Sequence, residues 1–237
     1  MIVSRATRGD ALPAGLTVLA LAVLTAVAGC SAFGTSVQRG QGRELQYFEA
    51  VAFGAEEGAT ELRIRKWRRD IRFAVLGSPT DADLAIIDRV IAELNGLVAP
   101  LEVSRVTEGP NALILFLAKP NRYIPDPAAV RYTDGKVSVF TAPNGEILAA
   151  TVFIPAHRLE GGRRAHVIRE EMTQGLGLLR DSWWFPDSIF YEGVRAVTEF
   201  AAIDRYLIRT LYRPEILPGM SIAEARAALN GTGAPRL

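Results

Sequence analysis

The chain has 237 residues, 49% of them hydrophobic and 22% charged, which is typical of one large globular domain or two small ones. The first 29 residues hold two of the 27 basic and one of the 26 acidic residues, so 25 of each remain beyond them. This balance gives no electrostatic reason to expect nucleic acid as a partner.

The N-terminus has the pattern of a bacterial lipoprotein signal. Two arginines precede an apolar run over residues 11–28, and small residues lead into Cys30 as a cleavage motif. The run is shorter than the ~20 residues that span a bilayer, which disfavours the alternative of a plain membrane anchor. We expect residues 1–29 to be a signal peptide and Cys30 to carry lipid on the periplasmic side of the envelope. Ser31 resembles the pattern of lipoproteins sent to the outer membrane.

The next segment predicts a tether. Residues 30–58 are rich in Gly, Ser, Gln and Glu, with one apolar patch at residues 47–53 and room for a marginal helix. Cys30 is the only cysteine, so an internal disulfide is excluded.

Four elements follow in order. Leu62–Gly77 alternates toward its end and predicts the first strand, and its basic lead-in is interpreted as solvated, with lipid headgroups as an alternative contact. Asp81–Val98 has apolar residues at helical spacing after a capping segment. Leu101–Val106 and Ala112–Ala118 are β-branched apolar runs and predict two more strands.

A long excursion over residues 121–145 contains three prolines and two hairpin signals, and loops of this size commonly carry function or cover a site. Ile147–Pro155 then predicts the strand that borders the functional cleft. The stretch from Arg164 to Gly177 predicts the central helix, ended by Gly175 and Gly177 in left-handed conformations.

The two faces of this helix differ. Its apolar stripe consists of Ala165, Ile168, Met172 and Leu176. The opposite face carries His166, Glu170 and Gln174, with Glu171 beside them.

The same stretch resembles the zinc-binding consensus of the metzincin metallopeptidases, H-E-x-x-H-x-x-G-x-x-H, with every zinc ligand replaced. The residues at the matching positions are Glu170, Glu171, Gln174, Gly177 and Arg180, followed by Asp181. The resemblance implies that Glu171 stands at the general-base position. The segment Pro186 to Tyr191 is similar to the Met-turn, with Asp187 inside it and Phe190 in the methionine position.

The segments REEMTQGLGL and PDSIFY also resemble a family of proteobacterial lipoproteins catalogued as domain of unknown function 2927. This resemblance extends over the chain from about Trp67 to Met220. Together the resemblances imply an α/β (α+β) fold with one zincin-like, metzincin-like domain over residues 59–220. We expect a twisted mixed sheet with an antiparallel edge strand, a backing helix and a central active-site-type helix. In such folds Ile147–Pro155 is the antiparallel edge. Residues 221–237 are expected to form a short helix and a disordered tail.

The replaced ligands disfavour a standard zinc peptidase. Glu170 could bind zinc, but the Gln174 amide is a poor ligand and Arg180 is always protonated. We therefore expect no cofactor and a non-catalytic cleft that binds a peptide or an envelope protein, in which Arg180 pairs with Glu170 or Glu171 in place of the metal. The alternatives are a hydrolase, using either a shifted zinc site that includes His166 or metal-free Glu171 chemistry, and a purely structural envelope protein.

Two segments remain. The aromatic loop Trp183-Trp184-Phe185-Pro186 is interpreted as core lining, with a hydrophobic specificity pocket as the alternative. Glu192–Tyr212 predicts another helix, with one apolar side.

Overall fold

A five-stranded mixed sheet forms the centre of the computed structural model, which describes residues 42–54, 62–118, 135–193 and 196–232. The signal peptide, Cys30 and Ser31 lie outside the described residues. The residues from Glu44 onward form one compact unit.

The strand order in the sheet is β2-β1-β3-β5-β4. The strands are β1 (Ile71–Gly77), β2 (Val103–Arg105), β3 (Ala112–Phe116), β4 (Lys136–Thr141) and β5 (Ile147–Ile154). The first three and β5 run parallel, and β4 pairs antiparallel with β5. The antiparallel edge strand is therefore β4. The prediction that the strand at Ile147–Pro155 forms that edge is wrong, since β5 lies between β3 and β4.

Five helices contribute side chains to the same hydrophobic core as the sheet in the described part of the chain. They are α1 (residues 42–52), α2 (Asp81–Asn95), α3 (Gly161–Gln174), α4 (Ala202–Leu211) and α5 (Ile222–Thr232). None of them is long and apolar enough to cross a membrane. The predicted start of α2 is confirmed, because Thr80 and Asp83 cap it reciprocally through their side chains and backbone amides.

Helix α1 belongs to the core. Its buried side chains are Tyr47, Phe48, Val51 and Ala52, and Phe53, which directly follows the helix, is buried as well. Glu49 also pairs with Arg226 of α5. The apolar patch in the predicted tether is thus one face of an integral helix, and residues 42–54 are not a tether.

The C-terminal end of α3 is fixed by other elements. The Trp67 indole donates to the Gly175 carbonyl at 2.9 Å, and the Tyr212 hydroxyl donates to the Leu176 carbonyl at 3.0 Å. Gly177 has φ +116°, and a Cβ there would lie 1.9 Å from the Arg65 carbonyl oxygen, so only glycine fits. Gly175 is right-handed, which corrects the prediction that both glycines end the helix in left-handed conformations.

The helix predicted over Glu192–Tyr212 begins only at Ala202. Residues 196–201 are irregular because they contact α3 instead: the Val197 carbonyl accepts a hydrogen bond from His166, and the Phe200 ring lies against Arg169. The predicted helix near the C-terminus is confirmed as α5, which buries Ala225 and Leu229. Residues 233–237 lie outside the described residues.

Candidate functional site

Helix α3 brings the predicted polar residues together, but it buries them. All four predicted polar residues are buried: His166, Glu170, Glu171 and Gln174. The apolar stripe is buried too, except that its first residue, Ala165, is only half-buried. The expected open face of the helix is therefore covered by neighbouring elements. The contacts of each side chain show what covers it.

His166 and Glu170 form a buried pair one helical turn apart. The His166 Nε2 atom lies 3.3 Å from Glu170 Oε2, and its Nδ1 atom lies 2.7 Å from the Val197 carbonyl oxygen. Both neighbours accept hydrogen bonds, so the doubly protonated imidazolium fits this place. Burial lowers the pKa of His166, but the hydrogen bond and charge of Glu170 and the Val197 carbonyl outweigh it, so the pKa is raised.

Glu171, at the general-base position, lies beneath the start of β4. A Cβ on Gly135 would stand 2.4 Å from Glu171 Oε1 and 2.6 Å from Val167 Cγ1, so the backbone at Gly135 lies directly against the Glu171 carboxylate. The chain itself therefore covers this carboxylate on the side of the sheet's antiparallel edge.

Gln174 and Arg180 match the second and third histidine positions of the metzincin consensus only by resemblance of sequence. The Gln174 amide donates to Asp181 Oδ1 at 2.8 Å, so it is held by the residue that follows the motif. Arg180 is exposed, and its methylene groups pack on Gly54, where a Cβ would lie 2.1 Å from the Arg180 Cδ atom.

The predicted pairing of Arg180 with Glu170 or Glu171 is wrong. Within the described residues, no ion pair joins them, and Glu170 pairs with His166. The left-handed turn at Gly177 leads the chain toward α1, which carries Arg180 away from the two carboxylates. A matching sequence position thus does not give a matching side-chain position.

The segment that resembles the Met-turn is tied to α4. The Ser188 hydroxyl donates to Asp204 Oδ1 at 2.6 Å and accepts from the Tyr47 hydroxyl at 2.9 Å. The amide of Ile189 and that of Ala201 also donate to Asp204. Burial raises the pKa of Asp204 to about 6, although these hydrogen bonds lower it.

Within this turn, Phe190 is fully buried at the methionine position and Asp187 is exposed. Tyr191 is half-buried and meets the Trp183 ring edge-on, with ring centroids 5.5 Å apart. The turn is therefore a packed support beneath the loop of tryptophans, with its apolar residue pointing inward.

That loop is more exposed than predicted. Trp183 is 63% and Trp184 42% exposed, whereas Phe185 packs on Tyr47 with centroids 4.7 Å apart. Trp184 stacks beside the same tyrosine at 6.3 Å. The interpretation as core lining is right for Phe185 and wrong for the two tryptophans.

One charged residue of α3 was missed. Arg169 is 1% exposed, forms a two-pronged ion pair with Glu93 of α2, and lies 4.4 Å from the centre of the Phe200 ring. Nothing local marks it, because an arginine followed by two glutamates is typical of an exposed helix face, and its partners are far along the chain. It joins α2, α3 and the irregular segment before α4.

A separate cavity of about 590 Å³ opens at the carboxyl ends of β1 and β2. Its polar lining is Arg105, Thr107 and Glu108, and none of the α3 side chains lines it. No three His, Cys, Asp or Glu side chains in the described ranges are arranged to hold a metal ion.

These features define a mixed α/β domain with a five-stranded sheet, five described helices and a central helix that buries its carboxylates. The chain belongs to the family described as "Protein of unknown function (DUF2927)", which matches residues 43–231. The match confirms the predicted membership of this domain family and extends the matched range from α1 to α5. No curated protein matches the chain. The zincin-like part of the fold prediction stays a prediction.

Proposed function

We propose that this protein is a lipoprotein of the cell envelope, lipid-anchored through Cys30 on the periplasmic side, whose domain binds an extended peptide or protein segment without catalysing a reaction. The observation that carries the binding proposal is the outer edge of β4. No strand in the described part of the chain pairs with that edge.

Strand β4 suits the addition of another strand. Val137 and Val139 pack toward the core, whereas Ser138 and Phe140 point outward, and Phe140 is 67% exposed. An unpaired edge offers backbone donors and acceptors to an extended chain, and an exposed aromatic ring offers it a side-chain contact.

The surroundings of α3 favour binding over catalysis. A general base must reach the proton that it removes, but Glu171 is covered by Gly135 and Glu170 is held by His166. Gln174 is likewise held by Asp181. Burial of these polar groups ties the helix to its neighbours, which keeps the scaffold beneath β4 rigid.

The binding proposal is tested with peptides selected from a random library against the full chain. We expect a bound peptide to slow amide hydrogen exchange in residues 136–141, and Phe140→Ala to weaken binding by about tenfold or more. Ser138→Ala is the matched control, because it removes no ring from the same face. Selected peptides that leave exchange in β4 unchanged would refute binding at this edge.

The alternative function is a hydrolase that uses a shifted zinc site or metal-free glutamate chemistry. One observation favours it: His166, Glu170 and Glu171 lie together on one helix. Zinc analysis of protein purified without chelators and hydrolysis of an unfolded protein substrate test this alternative. Hydrolysis that is lost in Glu171→Gln and kept in Glu160→Gln, at an exposed control position, would establish it.

Lipid attachment has its own test. A fatty-acid analogue should label the wild-type protein and fail to label Cys30→Ala. The residue after the cysteine is Ser31. We propose the outer membrane as the destination, so membrane fractionation should find the protein there, and recovery with the inner membrane would correct that part alone.

A further inference from the structure

The loop Trp183–Phe185 places two tryptophans on the surface. The chain has only three, and the third, Trp67, is 1% exposed in the core. Trp183, Trp184 and Tyr191 together are here called the aromatic patch, and the buried Tyr47 lies beside Trp184 as part of its support. Tryptophan and tyrosine are the residues enriched where a bilayer meets water, because an apolar ring and a polar N–H or O–H group sit there together.

The aromatic patch stands on a fixed support. The Ser182 amide donates to the Phe190 carbonyl at 2.8 Å, and the Glu192 amide donates to the Ser182 carbonyl at 3.2 Å. These bonds tie the loop to the turn that Asp204 holds through Ser188. Rings held in this way lose little conformational freedom when they bind, which favours their use as a contact surface.

The aromatic patch is also close to the start of the domain. Trp184 stacks beside Tyr47 of α1, and α1 begins at residue 42. Cys30 lies 12 residues before that point, and 12 residues span no more than about 40 Å even when fully extended. A lipid on Cys30 would therefore confine α1, and the aromatic patch beside it, to the neighbourhood of the bilayer surface.

We infer that the aromatic patch inserts into the interfacial region of the bilayer, as a second membrane contact beside the lipid on Cys30. This inference rests on the proposed lipid anchoring. The charged residues nearest the loop in sequence are one basic residue and three acidic ones, Arg180, Asp181, Asp187 and Glu192, so we expect no electrostatic attraction of the loop to anionic lipid. The contact is aromatic and apolar, and neutral phosphatidylcholine is a sufficient partner.

In the test, the lipid anchor is attached to Cys30 by a chemical reaction, so the result does not depend on lipidation in the cell. The chain from Cys30 onward keeps the whole compact unit that starts at Glu44, and its single thiol is coupled to a maleimide lipid in phosphatidylcholine vesicles. Brominated acyl chains then quench the fluorescence of any tryptophan that enters the bilayer. Trp67→Phe leaves only the surface pair as emitters, and Trp183→Phe/Trp184→Phe leaves only Trp67 as the matched control.

We expect the surface pair to be quenched by brominated lipid and its emission to shift to the blue, with Trp67 unaffected. Without the coupled lipid, Trp183→Ala/Trp184→Ala should weaken vesicle partitioning by about tenfold for each tryptophan. Anionic phosphatidylglycerol should change neither result.

Equal quenching of the pair and of Trp67 in the coupled chain would overturn the inference, as would self-association of the unanchored chain through the same rings. If Trp67→Phe does not fold, the quenching of Trp183→Phe/Trp184→Phe is compared with that of the wild type. The difference between the two proteins is then the quenching of the surface pair. Failure of Cys30 labelling in cells would refute the proposed anchoring and leave the quenching result standing, so the two failures are distinguishable.

Discussion

His166 holds its proton more tightly in the folded protein than in the unfolded chain. Its pKa is raised by Glu170 and Val197 despite burial, which by itself lowers it. The folded state therefore binds a proton that the unfolded state has released once the pH exceeds about 6.5. The stability from this group is fully present below that pH and is lost as the pH rises through the folded-state pKa.

Replacing this residue should remove that pH dependence. His166→Gln should lower the free energy of unfolding by about 1.5–3 kcal/mol below pH 6.5, because a hydrogen bond to a charged group is lost. Urea unfolding between pH 6 and pH 9 measures the slope. His157→Gln, at the only other histidine, should keep it, and a wild-type curve without a slope would contradict the assignment.

The placement of His166, Glu170, Glu171 and Gln174 on one helix could be predicted from the sequence, but their partners could not. The 3.6-residue period places His166, Glu170 and Gln174 on one face of α3 without any knowledge of the fold. Whether Arg180 reaches them depends on the backbone after Gly177 and on the position of Gly54, which is 126 positions away in the chain. Contacts of that kind are set by packing between elements, so a motif alone leaves them open.

At the scale of the elements, the turn over residues 186–191 and helix α4 share one carboxylate. Asp204 accepts hydrogen bonds from the Ser188 hydroxyl, from Ile189 and from Ala201, and burial raises its pKa to about 6. An unfolded aspartate has a pKa near 3.9, so between about pH 4 and pH 6 the folded state alone keeps the proton. Stability must therefore fall as the pH rises through that window.

The expected fall is about 3 kcal/mol at most, since one pKa unit corresponds to about 1.4 kcal/mol. Asp204→Asn should abolish this slope, because an amide does not titrate. Asp187→Asn is the control, since this neighbour is exposed and the buried carboxylate stays in place. Denaturant unfolding at pH 4, 5, 6 and 7 gives the comparison, and an unchanged slope in Asp204→Asn would assign it to another group.

The elements themselves were predictable where their signals are local. Helix α2 carries its own cap in Thr80 and Asp83 and its own apolar period, so its start was predicted correctly. The apolar side of α4 continues into the residues before it, which is why the predicted helix was too long. Phe200, in that preceding segment, packs against Arg169 instead, and the helix begins at Ala202, where Asp204 accepts a hydrogen bond from the Ala201 amide. Helix α1 was predicted only as a marginal helix within a tether, because its buried stripe covers only two turns amid polar residues.

At the scale of the whole molecule, α2 and α3 are joined by a charge pair whose basic member is almost fully buried, whereas the Glu93 side chain is 23% exposed. Arg169 is almost fully buried, so removal of its partner leaves a guanidinium without compensation in the core. The surface pair of Arg105 and Asp88 has the same two-pronged geometry, and both acidic partners belong to α2. The chain thus contains its own comparison between a buried and an exposed ion pair.

Glu93→Ala should lower the free energy of unfolding by about 3–5 kcal/mol. Asp88→Ala, at the exposed pair, should lower it by less than about 1 kcal/mol. Replacing both Arg169 and Glu93 with apolar residues should cost less than the two single losses together, because no charge is then stranded. Denaturant unfolding of all variants at one pH measures these free energies. Equal losses of unfolding free energy at the two ion pairs would show that burial does not determine how much each pair stabilises the fold.

The ion pair between Glu49 of α1 and Arg226 of α5 brings the first and the last described helices together. Within the described part of the chain, the helices that are first and last in sequence are therefore neighbours in space. A circularly permuted chain that joins the end of α5 to the start of α1 and opens between two other elements should reach the same fold. Circular dichroism and denaturant unfolding of the permuted chain check this expectation, and a permutant that does not unfold cooperatively would contradict it.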